Sequence, residues 1–388
     1  MSDYQDNANS RTIPQSTKLH RHVAQTLRQR LISGEMAGGA KLPSLREMAE
    51  EFGVSTMTIR QAIGVLEKEG HLYRVSAAGT YVRPTTQEKK PTVQMVAFIA
   101  VHLGSPFEME IARSVEKACQ QKGWAIQIFD AHSDVELETS NILRLTKSNS
   151  HGAIILHTCD PKNVQILYEL KKSGFPFVLV DRYPSGINID IVESNHEHGA
   201  YLATKYLLEK GHSQILMLTP PPFISSVEAR IHGYERALSE AGMVMKPDGK
   251  VLVDLKQQIT GVREKRSWFG GYAAILPVLK KQKKPLAIFT SDAYTGWGVY
   301  QACRELDLGI PEDVSVVCFD DTDVSRALVP PMTAIAQRTD QIGYRAVELL
   351  EKRLEHTDSK ADYINEFTHS VIDVELIERQ SVASPVHG

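Results

Sequence analysis

Long apolar runs are missing from this chain. No stretch of its 388 residues approaches the roughly 20 consecutive apolar positions that a helix needs to cross a bilayer. The N-terminal MSDYQDNANSRT also lacks the charged-then-apolar order of an export signal. Cysteine is scarce. Cys119, Cys159, Cys303 and Cys318 have neither metal-ligand nor redox spacing, and each lies in an apolar stretch, so all four are expected to be buried free thiols. Histidine offers no better chelate: His20 and His22, like His196 and His198, are two residues apart and would face opposite sides of a helix. No metal site is expected. A G-x-S-x-G elbow and a Walker A loop are absent, no lysine occupies a recognisable cofactor motif, and the lysine-rich stretch 280–284 reads as a surface turn. These absences predict a cytosolic protein that spans no membrane, carries no cofactor and is not an enzyme.

Charge of one sign is lacking only in the sum. The net −3 hides 13 Lys/Arg against 7 Asp/Glu in residues 11–90, and 31 against 38 in residues 91–388. A +6 head on a −7 body suits a module that meets phosphates through one end. The length calls for more than one core. Residues 1–14 are polar and patternless and are expected to be a disordered tail. The polar, proline-bounded PTTQEKKP at 84–91 marks a linker, assigned to 85–92, between a head at 15–84 and a body at 93–381.

The head has the grammar of a winged helix-turn-helix. Ser44 with Glu47 forms a capping box before Leu45, Met48, Ala49 and Phe52, which share one helical face, and Gly53 supplies the left-handed stop. Ser55 caps a second helix with Ile59, Ala62, Ile63 and Leu66 inward. Its other face is assigned Thr56, Thr58 and Arg60, donors suited to base edges and phosphates in a major groove. Segments 72–75 and 80–83 pair as a wing around 76–79, and an upstream helix over 19–32 closes the core with Val23, Leu27 and Leu31.

The run 18–83 resembles the DNA-binding domain of the gluconate-repressor (GntR) family, on SGE at 33–35, KLPSLRE at 41–47, VSTMTIR at 54–60 and GTYV at 79–82. That resemblance implies that Arg46 contacts phosphate or base and that Ser55, Thr56, Thr58 and Arg60 sit at the recognition helix. Gly79 would bring the wing close to the minor groove. The wing tip VSAA at 75–78 is less basic than is usual in such domains.

From residue 94 the pattern changes to short apolar runs at 95–101, 125–129, 152–157, 177–180, 215–218, 250–253, 286–289 and 314–319. Helical periods separate them at 107–122, 135–148, 161–173, 196–210, 227–241 and 293–307. Fully apolar strands alternating with helices predict an α/β body with parallel sheets covered on both faces, and ligands then sit beyond the strands' carboxyl ends. This region resembles the effector domain of the lactose-repressor family, on SPF at 105–107, VLVDR at 178–182, YLLEKGH at 206–212, Arg230 with Gly233-Tyr234, and IPEDVSVV at 310–317. The combination is similar to the arabinose-repressor subgroup. It implies a type I periplasmic-binding-protein-like body of two lobes joined by three crossovers, expected at about 93–190 plus 322–337 and 191–321 plus 338–381.

A sugar needs acceptors, fork-like donors and an aromatic platform. Asp181 and Asp320 can accept, Arg230 can donate bidentately and Phe107 can stack. The resemblance places ligand contacts at these positions and at Ser291. Ser105 and Glu108 stand where many relatives carry asparagine and phenylalanine. The nearest candidate for the second-lobe aromatic is Trp268, with Arg266 in the expected place, and Glu108 or Arg266 would indicate a charged or amino-substituted ligand. Plainer roles compete: Asp292 as a helix cap, Asp321 as a local cap or ion-pair partner, Arg182 as the salt-bridge partner of Asp181, Trp268 as helix core. The implied function is a homodimeric transcription regulator, a repressor of carbohydrate catabolic genes on a pseudo-palindromic operator, relieved by a sugar-like effector. The alternatives are fusion to a pyridoxal-phosphate enzyme-like domain and a DNA-binding protein with a vestigial cleft.

Overall fold

The computed structural model describes residues 15–32, 35–75, 79–83, 94–243, 249–283, 285–355 and 367–385. The expected tail at 1–14, the linker at 85–92 and the wing tip at 76–78 lie outside the described residues. Two compact units follow one another, 1–92 and 93–388.

The first unit contains α1 (Gln15–Ile32), α2 (Leu45–Phe52), α3 (Thr56–Lys68) and the antiparallel hairpin β1 (Leu72–Val75) and β2 (Gly79–Val82). Val23, Leu27, Met48, Ile59, Ile63 and Leu66 close its core with Leu42, Leu72 and Val82. Both halves of the capping box form. The Glu47 amide donates to Ser44 Oγ at 3.3 Å and the Ser44 amide to Glu47 Oε2 at 2.7 Å, while Gly53 takes φ 61°. Lys41 bridges to Tyr81 and the Leu42 amide donates to Thr80 O at 2.9 Å, so a third segment backs the hairpin.

In the second unit the chain runs β3 (Met95–Ala100), α4 (Pro106–Gln121), β4 (Ala125–Asp130), α5 (Val135–Leu145), β5 (Gly152–Ile155), α6 (Pro161–Ser173), β6 (Phe177–Val180) and β7 (Ile191–Ser194). It then crosses to α7 (His196–Glu209), β8 (Ile215–Thr219), α8 (Ser225–Glu240), β9 (Lys250–Leu252), α9 (Leu255–Arg263), α10 (Phe269–Leu279), β10 (Leu286–Thr290), α11 (Ala293–Glu305), β11 (Val314–Phe319), α12 (Asp323–Ala327) and β12 (Thr333–Gln337). It returns for α13 (Thr339–Glu355) and β13 (His369–Ile372), and crosses once more to β14 (Val374–Ile377). Among the described residues the first lobe's sheet has the order β13-β7-β6-β5-β3-β4 with every pair parallel. The second has β14-β12-β11-β10-β8-β9, parallel except for β14. Strands such as Phe177–Val180 and Val314–Phe319 are buried at every position, and apolar but for Ser315, because helices cover both faces.

The two-lobed fold and its three crossovers match expectation, but the late segments do not. Residues 322–337 stay in the second lobe, because β12 pairs with β11. Residues 339–372 belong to the first, because Ile342, Ala346, Val347 and Leu350 of α13 pack with Ile111 and Val115 of α4 and with Val178 and Val180 of β6. Strand β7, at 191–194, also belongs to the first lobe, paired with β6. The four cysteines are buried and free.

Helices α7 and α8 touch where Gly233 faces the backbone of Glu197 and Tyr201, and a Cβ there would overlap the Glu197 carbonyl. Gly233→Ala must push the helices apart. It should destabilise the body by about 1–3 kcal/mol, the usual cost of overpacking, read by denaturant unfolding.

Candidate functional site

In the first unit, α3 presents Thr56, Met57, Arg60 and Gln61 to solvent, and Met57 is 59% exposed. Ser55 accepts from the Thr58 amide at 3.2 Å, and its hydroxyl lies 2.9 Å from that of Thr58. Thr58 is therefore turned inward at 7% exposure, and it does not share the outer face assigned to it from spacing. The third residue of a helix lies against the N-cap, where the two hydroxyls satisfy each other. Met57 was missed because an exposed methionine carries no signal in an apolar pattern; it offers the kind of apolar contact a thymine methyl accepts. Arg46 is exposed on α2. Gly79 has φ 123°, a backbone conformation strained for any L side chain, and this dihedral is what calls for glycine at the start of the second wing strand.

The second unit holds a cleft of about 310 Å³ between its lobes. Each sheet has a topological switch point, where the strand order reverses about β3 and β5 in the first lobe and about β8 and β10 in the second. The cleft opens there: Val101, His102 and Thr158 from one lobe face Pro220, Ser291 and Asp292 from the other. Ser105, Phe107, Asp181, Arg182, Arg230, Ser291 and Asp320 all line it.

Two aspartates sit at matching places. Asp181 directly follows β6 and Asp320 directly follows β11, and both adopt left-handed backbone, φ 68° and 73°. A non-glycine residue in that region stores strain, which at a strand end serves to aim a side chain. Asp181 is 1% exposed and pairs with Arg182 Nε at 2.9 Å; its Oδ1 has no hydrogen-bond partner among the described residues. Arg182 thus both holds Asp181 and lines the cleft.

Arg230 of α8 is buried. Its Nη1 donates to Ser291 O at 2.5 Å, Nη2 lies 3.2 Å from His196 Nδ1, and the guanidinium stacks 3.8 Å over Phe319. With Nδ1 accepting, His196 donates from Nε2 to Asp181 O at 3.0 Å. Burial first, then the neighbouring Arg230 charge, pushes the His196 pKa down to about 3, so the ring is neutral. Burial pushes Glu108 and Asp320 the other way, each up to about 7.

Trp268 does not reach the cleft. It packs against Phe269, Tyr272 and Trp297, with ring centroids 5.5–6.5 Å apart, in an aromatic cluster between α10 and α11. Arg266 is exposed and pairs with Glu264. The second lobe's wall is instead Leu255, Gln258, Ile259 and Val262 of α9, with Tyr294 of α11 and Phe223. Residues 255, 259 and 262 fall at i, i+4 and i+7, a signal that was legible on an otherwise polar helix. Tyr294 also donates to Gly104 O across the cleft at 3.1 Å, and Ser225 Oγ accepts the Tyr183 amide at 2.9 Å. Asp292 caps α11 through the Thr295 amide, and Asp321 pairs with Arg379 at 2.8 Å, as their plainer readings had it. His102, Asp130 and His132 bring ligating atoms within 4.8 Å of one another at the rim. The Asp130 carboxylate there already accepts the Leu103 and His132 amides.

Two family models match. Residues 19–82 match the gntR family of bacterial regulatory proteins, and 204–382 match the periplasmic binding protein-like domain. The chain joins a gntR-type DNA-binding domain to a periplasmic-binding-protein-like body. It is similar in sequence to bacterial transcriptional repressors. It is 27% identical over 323 residues to the ribose operon repressor of Escherichia coli, 81% of this chain and 93% of that one. It is 26% identical over 353 residues to the repressor PurR of Histophilus somni, 88% and 99%. A LacI-family regulator from Enterococcus faecium with bound ribose superposes with TM-score 0.61 at 23% identity, over 75% of this chain and 99% of that one. The regulator CelR in complex with cellobiose gives 0.63 at 21%, over 88% and 100%. No helix among the described residues is long and apolar enough to cross a membrane.

The shifted carboxyls set a pH dependence. Glu108 and Asp320 keep protons in the folded state that the unfolded chain has released, so stability falls as pH rises from their ordinary 4.5 and 3.8 through about 7. His196 acts at the other end: the unfolded chain takes its proton below 6.5 and the folded chain does not, so stability also falls as pH drops toward 3. Glu108→Gln or Asp320→Asn should raise the melting temperature at pH 8 more than at pH 5. Equal shifts at both would contradict the assignment.

Proposed function

We propose that this protein is a DNA-binding repressor of carbohydrate catabolic genes whose operator affinity is set by a small sugar-like effector between the lobes. The observation that carries the reading is a cleft lined from both lobes by oriented polar groups, Asp181, Arg230, Ser291 and Asp320, in a chain that also bears an exposed recognition helix. Apolar walls with a few placed polar groups suit a hydroxylated ring. The ribose and cellobiose bound in the superposed regulators, and the ribose operon repressor among the relatives, support a sugar.

The protein acts as a homodimer on a pseudo-palindromic operator, two-fold symmetry matching two half-sites. The head spans about 15–84 and the body 93–381. Arg46, Thr56, Met57 and Arg60 contact DNA, with Ser55 capping the recognition helix and Gly79 carrying the wing. A cytoplasmic location accompanies that role. The chain is a regulator and not an enzyme, a reading supported by the transcriptional repressors among its relatives. The effector weakens operator binding by its differential affinity for two states of the dimer.

Two substitutions separate the halves of this reading. Arg60→Ala should cost about 1–3 kcal/mol of operator affinity and leave effector binding intact. Arg230→Ala should abolish the effector response while operator binding persists. Gel shifts over a panel of monosaccharides with and without these substitutions read both. An operator complex that tightens on adding sugar would make the ligand a corepressor.

A further inference from the structure

Glu108 has no assigned role in a neutral-sugar site. It sits in the first turn of α4 at 5% exposure and lines the cleft beside Phe107. The His102 amide donates to its Oε2 at 2.8 Å, the one hydrogen bond to this carboxylate among the described residues. The carboxylate is thus anchored at one oxygen, and the other is left without a protein donor.

The charges around it do not balance. Glu108, Asp160, Asp181, Asp292 and Asp320 line the cleft with only Arg182 and Arg230 as cations. Asp160 and Asp292 are spent on capping α6 and α11. Arg182 is bound to Asp181 at 2.9 Å, and Arg230 to the Ser291 carbonyl and neutral His196. Across the cleft Asp320 is held by Gln337, which brings no charge. Glu108 and Asp320 therefore have no ion-pair partner within 4.0 Å among the described residues, and the Arg182 and Arg230 charges reach them only at longer range, already engaged elsewhere. A buried carboxylate left unpaired costs several kcal/mol, and a hydroxyl donor satisfies a lone pair without cancelling the charge.

We infer that the effector carries an amine whose ammonium group is held by Glu108, so that the ligand class is an amino sugar or a similar hydroxylated cation. This rests on the sensor reading above and sharpens it. The elevated Glu108 and Asp320 pKa values agree, since an empty cleft returns both groups toward the neutral form. The same unbalanced carboxyls would repel sugar acids and sugar phosphates. Sequence alone marks the position, since Glu108 stands where an aromatic is usual, and the structure adds that no ion pair answers it.

The test is calorimetric titration of the full chain with glucosamine, galactosamine and mannosamine, each beside its neutral parent and its N-acetyl form. At least one amine should bind about tenfold or more tighter than both, a difference of about 1.4 kcal/mol. Glu108→Gln keeps an acceptor for the His102 amide and should bring that preference to within about twofold, and Glu108→Asp should restore part of it. Cooperative melting of both variants certifies the fold. Neutral sugars that bind as well as the amines, or a preference that survives in Glu108→Gln, would overturn the amine assignment and leave the sensor standing. Silence from amines and parents alike would overturn both.

Discussion

A guanidinium buried between two lobes is the constraint on which the rest of the cleft depends. Arg230 cannot be left without acceptors at that depth, and each of its partners fixes another element. The Ser291 carbonyl ties it to the end of β10, His196 to the start of α7, and the Phe319 ring to β11. Because Arg230 occupies Nδ1 of His196, the other nitrogen must carry the proton, and it reaches into the first lobe to the Asp181 carbonyl. One cation thereby sets a tautomer, and the tautomer sets a contact across the crossover. The imidazole stays neutral because burial, and then the Arg230 charge, outweigh the Asp181 carboxylate that lies 3.5 Å from its Nε2.

The crossovers explain why that contact lies at a pivot. The chain changes lobes between β7 and α7, between β12 and α13, and between β13 and β14. Two of the passages are tied together, since the Asn195 amide donates to Ile372 O at 2.8 Å. Movement of one lobe must be absorbed at these few residues, while Tyr294 to Gly104 and Ser225 to Tyr183 span the gap at the cleft itself.

The sequence made most of the sheets and helices legible because buried parallel strands are apolar at nearly every position and their helices are periodic. Strand β7, with Glu193 in its middle, and the amphipathic β13 lacked that signature. Helix α13 illustrates a different limit. Its apolar face is plain in the sequence, yet which lobe receives that face is decided by Ile111 and Val115, more than 200 residues earlier. Of the polar residues just after apolar runs, Ser105, Asp181, Arg182, Ser291, Asp292 and Asp320 line the cleft, whereas Asp321 turns away to Arg379. Trp268 failed for want of register, because the 255–268 segment folds as a helix and a turn that brings α9 to the wall and moves the indole behind it. Thr58 failed because a helix's third position faces its own cap.

The electrostatics of the cleft bear directly on how a ligand could act at a distance. Closing the lobes without a ligand removes water from Glu108 and Asp320 and gives them no direct ion-pair partner, so burial outweighs the Arg182 and Arg230 charges and closure works against the charged form of both groups. Opening returns them to water at the cost of the Tyr294 and Ser225 bonds, which are individually worth about 1 kcal/mol. The two terms oppose each other. A ligand that supplies the absent donors and charge interacts strongly with the closed form and weakly with the open one. That difference in affinity, rather than tightness of binding as such, is the quantity that can be transmitted to a DNA-binding domain.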